Sequence, residues 1–134
     1  MAADRGLAVA QESGNLIVTG SLFRSVAHGL LANGRPSAVR NLVVVSVGYL
    51  KGGLADASPT YLSIYGTLLL VGAMAVARIE DRATANRFLA EAEQTAQRLG
   101  HGANHMWTAF SPTNVAIHRI STAVELGDVQ IAVD

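Results

Sequence analysis

One stretch without any charged side chain, from Ala57 to Ala77, constrains this chain more than any other feature. A run of this length must be shielded from water. It can cross a bilayer, which takes about 20 residues, or it can lie inside a folded core. Many of its residues are Gly, Ala, Ser or Thr, which favour membrane insertion less than Leu or Ile, and no cluster of Lys or Arg flanks it. We therefore expect a fully buried helix, with a small helical membrane protein as the less favoured alternative.

Length, charge and cysteine content exclude several classes of protein. The 134 residues suit one domain with a single core. Ten basic and ten acidic residues cancel, whereas a free-standing nucleic-acid binder usually carries a basic surplus. The lack of Cys excludes disulfides, thiolate metal sites and a Cys nucleophile. The first 15 residues lack the apolar core of a signal peptide, so we expect a cytoplasmic protein that binds neither nucleic acid nor membrane.

Helix-start and helix-stop signals divide the chain, and strand-like alternation is nearly absent. The β-rich run from Asn41 to Leu50 could form a strand by itself, but it continues from a helix start at Pro36. Breakers such as Asn33-Gly34 separate the segments. About seven helices are predicted, near residues 3–12, 16–32, 37–51, 59–79, 83–99 and 112–126, with a last one from 127 onward.

A shift of about 47 residues superimposes the breakers, which indicates a repeat. Asn33-Gly34-Arg35 then falls on residues 80–82 and on residues 127–129. Small residues such as Gly72, Ala73, Ala85 and Ala92 are spaced as in a tetratricopeptide pattern, although the period exceeds the usual length of about 34. A helical hairpin cannot bury both apolar faces alone, so neighbouring units must stack.

The repeat predicts one all-α domain over residues 1–134, an α-solenoid of tetratricopeptide-like hairpins whose last hairpin is truncated. The predicted units are about 15–57, 58–104 and 105–134.

Three segments carry a resemblance to a known family: "SPTYLSIYGTLLL", "DRATANRFLAEAEQTAQRLG" and "WTAFSPTNVAIHRISTAVELGD". They resemble the C-terminal region of actinobacterial helix-turn-helix transcriptional regulators of the Xre type. In that family a DNA-binding domain precedes a tetratricopeptide-like solenoid that serves regulation through a peptide, a small molecule or self-association. This chain has no room for the DNA-binding domain before Gly14 and stops within its third unit, so we expect a fragment, a truncated gene product or a stand-alone sensor piece.

The stretch from Trp107 to Val115 is the richest in aromatic residues and opens a helix. Ser111 can cap that helix and Pro112 suits its first turn. The favoured interpretation makes Trp107 and Phe110 a hydrophobic plug against the preceding hairpin. In the alternative, the loop lines one end of a groove, where Asn104, Trp107 and Asn114 supply stacking and amide hydrogen bonds.

A concave groove is the predicted binding site. Phe23, Leu30, Leu70 and Met74 would give it an apolar trough, which suits an amphipathic helix, a short hydrophobic peptide or a small effector molecule. A polar stripe that includes His118 would form one end, unless it is a plain solvated face. The candidate ligand-binding residues are Phe23, Leu70, Met74, Asn104, Trp107, Asn114, His118, Ser121 and Glu125.

Catalysis and cofactors are not expected. His118 near Glu125 lacks the partners of a catalytic triad or a carboxylate pair. His101 and His105 are four apart, but the glycines beside His101 indicate a loop rather than a metal-binding helix. No glycine-rich segment has the context of a phosphate loop. The alternative to groove binding is a homodimer, because Ile131 and Val133 would lack a covering helix.

Overall fold

The computed structural model describes residues 15–100 and 110–128. These residues form five α-helices, a short 3-10 turn at Lys51–Gly53, and no strand. The helices are α1 (Leu16–Ala32), α2 (Pro36–Leu50), α3 (Pro59–Arg78), α4 (Arg82–Leu99) and α5 (Pro112–Glu125). The all-helical class is confirmed, including the β-rich run in α2. About seven helices were predicted; those near 3–12 and beyond Asp128 lie outside the described residues.

Short polar side chains cap the first turn of four of the helices, and Asn15 does so at α1. The hydroxyl oxygen of Ser58 accepts from the Tyr61 N–H at 3.2 Å, and that of Ser111 accepts from the Asn114 N–H at 3.2 Å. Each serine is followed by a proline that needs no hydrogen bond in the first turn. The Asp81 carboxylate caps α4 in the same way. The predicted helix entry at Ser111-Pro112 is therefore confirmed.

Helix α3 is the core of the molecule, because it contacts each of the other four helices. All of its residues from Tyr61 to Ala73, and from Ala75 to Ala77, are buried. Among the described residues, α3 is the one helix long and apolar enough to span a membrane, with a mean hydropathy of 1.7. However, 83% of that apolar window is buried inside the protein. Neighbouring helices thus already cover the surface that lipid would otherwise contact.

Three helices end in the same kind of turn. Gly34, Glu80 and Gly127 have φ values of 68°, 59° and 80°, and the N–H of each donates to a carbonyl three residues earlier. The next N–H donates to a carbonyl five residues earlier, which completes a Schellman motif after α1, α3 and α5. The turns are 46 residues apart (34 to 80) and then 47 (80 to 127). The predicted alignment of Gly34 with Asp81 is therefore wrong by one residue.

Two arginines that flank the middle turn bond to residues of the other two turns. Arg78 donates to the Leu31 carbonyl at 3.5 Å in the first turn. Arg82 donates to the Leu126 carbonyl at 3.3 Å and forms an ion pair with Asp128 in the third turn. The ends of α1, α3 and α5 are therefore neighbours at one edge of the molecule.

Close helix contacts also recur at the corrected spacing. Gly20 of α1 lies against Ile64 of α3, where an added Cβ would approach the Ile64 Cγ2 to 2.8 Å. Gly66 of α3 lies against the ring of Phe110, which a Cβ would overlap. The pair Gly66–Phe110 follows the pair Gly20–Ile64 by 46 residues at both positions. The two glycines thus let bulky side chains of the next unit approach the helix backbone.

Replacing Gly66 by Ala tests this contact. Overpacking a core typically costs about 1–3 kcal/mol, which exceeds the roughly 1 kcal/mol by which Ala surpasses Gly in helix preference. We therefore expect Gly66→Ala to lower the free energy of unfolding in urea titrations. Gly48→Ala in α2, where nothing lies within 4 Å of the added methyl group, should raise it. If Gly66→Ala and Gly48→Ala stabilised the protein equally, the close contact between Gly66 and Phe110 would be contradicted.

Candidate functional site

Two neighbouring cavities open along α3 on the side where it meets α5. The first, of about 280 Å³, lies between α1, α3 and α5 and is lined by Arg24, His28, Thr67, Leu70, Val71, Met74, Asn114 and His118. The second, of about 160 Å³, lies between α3 and α5 and is lined by Met74, Ala77, Arg78, Ser121, Thr122 and Glu125. Because Met74 borders both, we call the two cavities together the trough.

Six of the nine predicted binding residues line the trough. Leu70 and Met74 are in the floor formed by α3, with Leu70 buried and Met74 half-buried. The polar residues of the predicted stripe lie along α5: Asn114 and His118 in the first cavity, Ser121 and Glu125 in the second. The structure therefore brings the apolar positions of α3 and the polar stripe of α5 to one surface.

The other three predicted residues do not contribute to it. Asn104 and Trp107 lie outside the described residues. Phe23 is at the interface of α1 and α2, where its ring meets Tyr49 edge-on with centroids 6.0 Å apart. It is not among the residues that line the trough. Leu30, the other apolar position predicted on α1, is also missing from the lining.

The one-residue error in the repeat explains why Phe23 is absent from the lining of the trough. At a spacing of 47 residues, Phe23 aligns with Leu70, whereas at the observed 46 the counterpart of Leu70 is Arg24. His28 is likewise the counterpart of Met74. Adjacent positions on a helix point about 100° apart, so an error of one residue moves a side chain to another face. The geometry of the Schellman turns is the signal that would have identified Arg24 and His28.

The aromatic loop serves packing in the part that the structure describes. Phe110 is fully buried, and its ring covers Gly66. The prediction of a hydrophobic plug is thereby confirmed for Phe110, while Trp107 lies outside the described residues.

Two of the residues that line the first cavity carry buried polar atoms whose hydrogen-bonding capacity is unused. Within residues 15–100 and 110–128, the Arg24 Nε and the Thr67 Oγ1 are buried and have no hydrogen-bond partner. The His118 Nδ1 lies 3.0 Å from the Asn114 carbonyl oxygen. A carbonyl can only accept, so this contact assigns the proton of a neutral His118 ring to Nδ1. Unpartnered buried donors are costly, which makes this cavity suited to a ligand that accepts hydrogen bonds.

The first cavity is also electropositive. Arg24 carries a permanent positive charge, and no Asp or Glu belongs to the described residues that line this space. Partial burial of the His28 ring, and then the charge of Arg24, lower the pKa of His28 below its ordinary value of 6.5. The second cavity instead combines Glu125 with Arg78. The two halves of the trough therefore differ in charge.

Metal binding finds no support in the described part of the chain. No group of three or more His, Cys, Asp or Glu residues there could hold a metal ion. His101 and His105, whose spacing of four residues could suit a metal on a helix, lie outside the described residues.

Comparison with known proteins identifies no relative. No family model, curated protein or solved structure matches this chain. The resemblance to Xre-type regulators therefore stays a prediction.

The pKa of His28 offers a test of the first cavity. We expect an NMR titration to place it below 6.5, and Arg24→Gln to raise it because the neighbouring positive charge is lost. A pKa lowered by folding means that the neutral ring favours the folded state. This contribution is present above pH 6.5 and is lost as the pH falls through the lower folded-state value. An unchanged His28 titration in Arg24→Gln would contradict the proximity of the two side chains.

Proposed function

We propose that this chain is a non-catalytic regulatory and protein-interaction module whose ligand occupies the trough. The observation that carries the proposal is a pair of adjoining cavities with an apolar floor and polar walls, the first between α1, α3 and α5 and the second between α3 and α5. Binding sites commonly combine apolar surface with a few placed polar groups. A peptide, a partner helix or a small effector molecule would satisfy such a surface, and we propose that it does so in the cytoplasm.

The recurrence of turns and contacts supports a tetratricopeptide-like solenoid as the scaffold. Three Schellman turns and two glycine contacts repeat at spacings of 46 or 47 residues. The first helix of each unit (α1, α3 and α5) contributes to the trough, whereas α2 and α4 line neither cavity. Stacked hairpins present their first helices on one surface in this way.

Ligand occupancy would act by shifting a population. A ligand that contacts three helices together favours the arrangement in which they are correctly spaced, and the attached or partner assembly then responds to that state. The resemblance to Xre-type regulators suggests a transcriptional role for such an assembly, with DNA binding supplied by another domain.

Blocking the second cavity tests the proposed site. Ser121 is exposed and borders that cavity, so Ser121→Trp should fill it without disturbing the core. We expect hits from a thermal-shift screen of peptides and metabolites to lose their effect in this variant. A saturating ligand at 100 times its Kd should otherwise stabilise the protein by about 2.7 kcal/mol.

Two further variants complete that test. Met74→Glu places a charge in the floor shared by both cavities and should weaken every hit. Gln94→Trp, at an exposed position of α4 that borders neither cavity, serves as the matched control. If all hits stabilise the Ser121→Trp and Met74→Glu variants as they do the parent chain, the trough is not the binding site.

Self-association is a second candidate function. Ile117, Ile120 and Val124 form a stripe on α5, and their side chains are 57%, 50% and 62% exposed. Contiguous exposed apolar surface is typical of interfaces between protein chains. A symmetric dimer would bury the same stripe from both copies.

Light scattering at two protein concentrations checks this second candidate. We expect a mass that increases with concentration, and a monomeric mass for Ile120→Glu because the charge would be buried in the interface. Val45→Glu, at a 65% exposed position of α2, should behave as the parent chain does. A constant monomeric mass of the parent chain would exclude the dimer.

A further inference from the structure

We propose that the first cavity binds a small monocarboxylate, with its carboxylate between Arg24 and Thr67 and a short hydrocarbon chain along α3. This inference names the ligand class of the proposed trough and therefore rests on the function proposed above. Four properties of the cavity support it. They are the unpartnered donors, the charge of the lining, the apolar wall and the volume.

Unused donors on two helices define the position of the carboxylate. The Nε of Arg24 on α1 and the Oγ1 of Thr67 on α3 are both buried without a partner among the described residues. Thr67 as a whole is only 9% exposed, and both residues line the same cavity. A carboxylate has two oxygens and accepts about four hydrogen bonds, so its acceptor capacity is enough for both donors. Its bond to a guanidinium is charge-assisted and among the stronger ones in proteins.

The charge of the lining favours a single negative charge. Arg24 is the one permanently charged side chain among the residues that line this cavity. His28 faces it from α1 and His118 from α5, and Asn114 adds an uncharged amide. A carboxylate carries one charge, whereas a phosphate monoester carries about 1.5 to 2 at neutral pH. A monocarboxylate therefore leaves no excess negative charge in the cavity.

The wall formed by α3 is apolar and suits the hydrocarbon chain of the ligand. Leu70, Val71 and Met74 border the cavity from α3. Leu70 and Val71 are buried, and Met74 has a flexible thioether that adapts to the shape of a ligand. The volume of about 280 Å³ is nearly twice that of an apolar cavity of about 150 Å³ known to hold benzene. The space therefore suits a carboxylate ligand of about six carbons in all.

Hexanoate is the probe for the full-length chain, with hexanamide as its uncharged counterpart and acetate as the head group alone. We expect hexanoate to shift the ¹⁵N–¹H NMR signals of α1, α3 and α5 with a Kd of order 1 mM, typical of a ligand of this size. Hexanamide should bind at least tenfold more weakly because it lacks the charge. Acetate should also bind more weakly because it leaves the apolar wall uncovered.

Variants separate the two donors from general effects of charge. Arg24→Gln should weaken hexanoate binding tenfold or more, while Arg35→Gln, the same change at an exposed position outside the cavity, should leave it unchanged. Thr67→Val keeps the shape of the side chain but removes the unpartnered hydroxyl. It should weaken binding several-fold and leave the melting temperature equal or higher.

The outcomes separate this inference from the proposed function. Equal binding of hexanoate and hexanamide, or unchanged hexanoate binding in Arg24→Gln, overturns the carboxylate assignment. Tighter binding of inorganic phosphate than of hexanoate overturns the choice of a monoanion. If peptides lose their effect in Met74→Glu while hexanoate does not bind the parent chain, the trough stands and the ligand class fails. If neither peptides nor hexanoate depend on the trough variants, both proposals fail.

Discussion

Burial of α3 is the constraint on which the rest of the molecule depends. A helix that is apolar around its whole circumference must be covered on every side, and here four other helices cover it. Gly66 and Gly72 bring those neighbours close, since the rings of Phe110 and Phe88 lie against the helix backbone at these positions. The trough is the part of this cover where α1, α3 and α5 leave space between them.

The fold class and the central helix could be predicted because they depend on composition and on breakers. A charge-free run that is too long for a strand needs a core, and Ser-Pro pairs mark where α3 and α5 begin. The exact repeat could not be predicted in the same way. Glu80 occupies the left-handed position that Gly34 and Gly127 hold in the other two turns, so glycine alone did not mark the middle turn.

Because Glu80 concealed the middle turn, the predicted repeat was shifted by one residue, and this shift limited how much of the site could be predicted. On α3 and α5 the apolar floor and the polar stripe follow from helical periodicity within one helix, and the structure places them together. On α1 the prediction depended on aligning one unit with another, and the shift exchanged Arg24 for Phe23. The unpartnered state of Arg24 and Thr67 depends on the packing of separate helices, which periodicity does not contain.

Met74 gives the two cavities a shared boundary, and their volumes are therefore not independent. An unbranched side chain with three rotatable bonds can lean toward either neighbour, so that space gained on one side is lost on the other. A molecule that displaces this thioether from the electropositive half would narrow the half that contains Glu125. Occupancy of one compartment would then reach the other through the side chain of Met74.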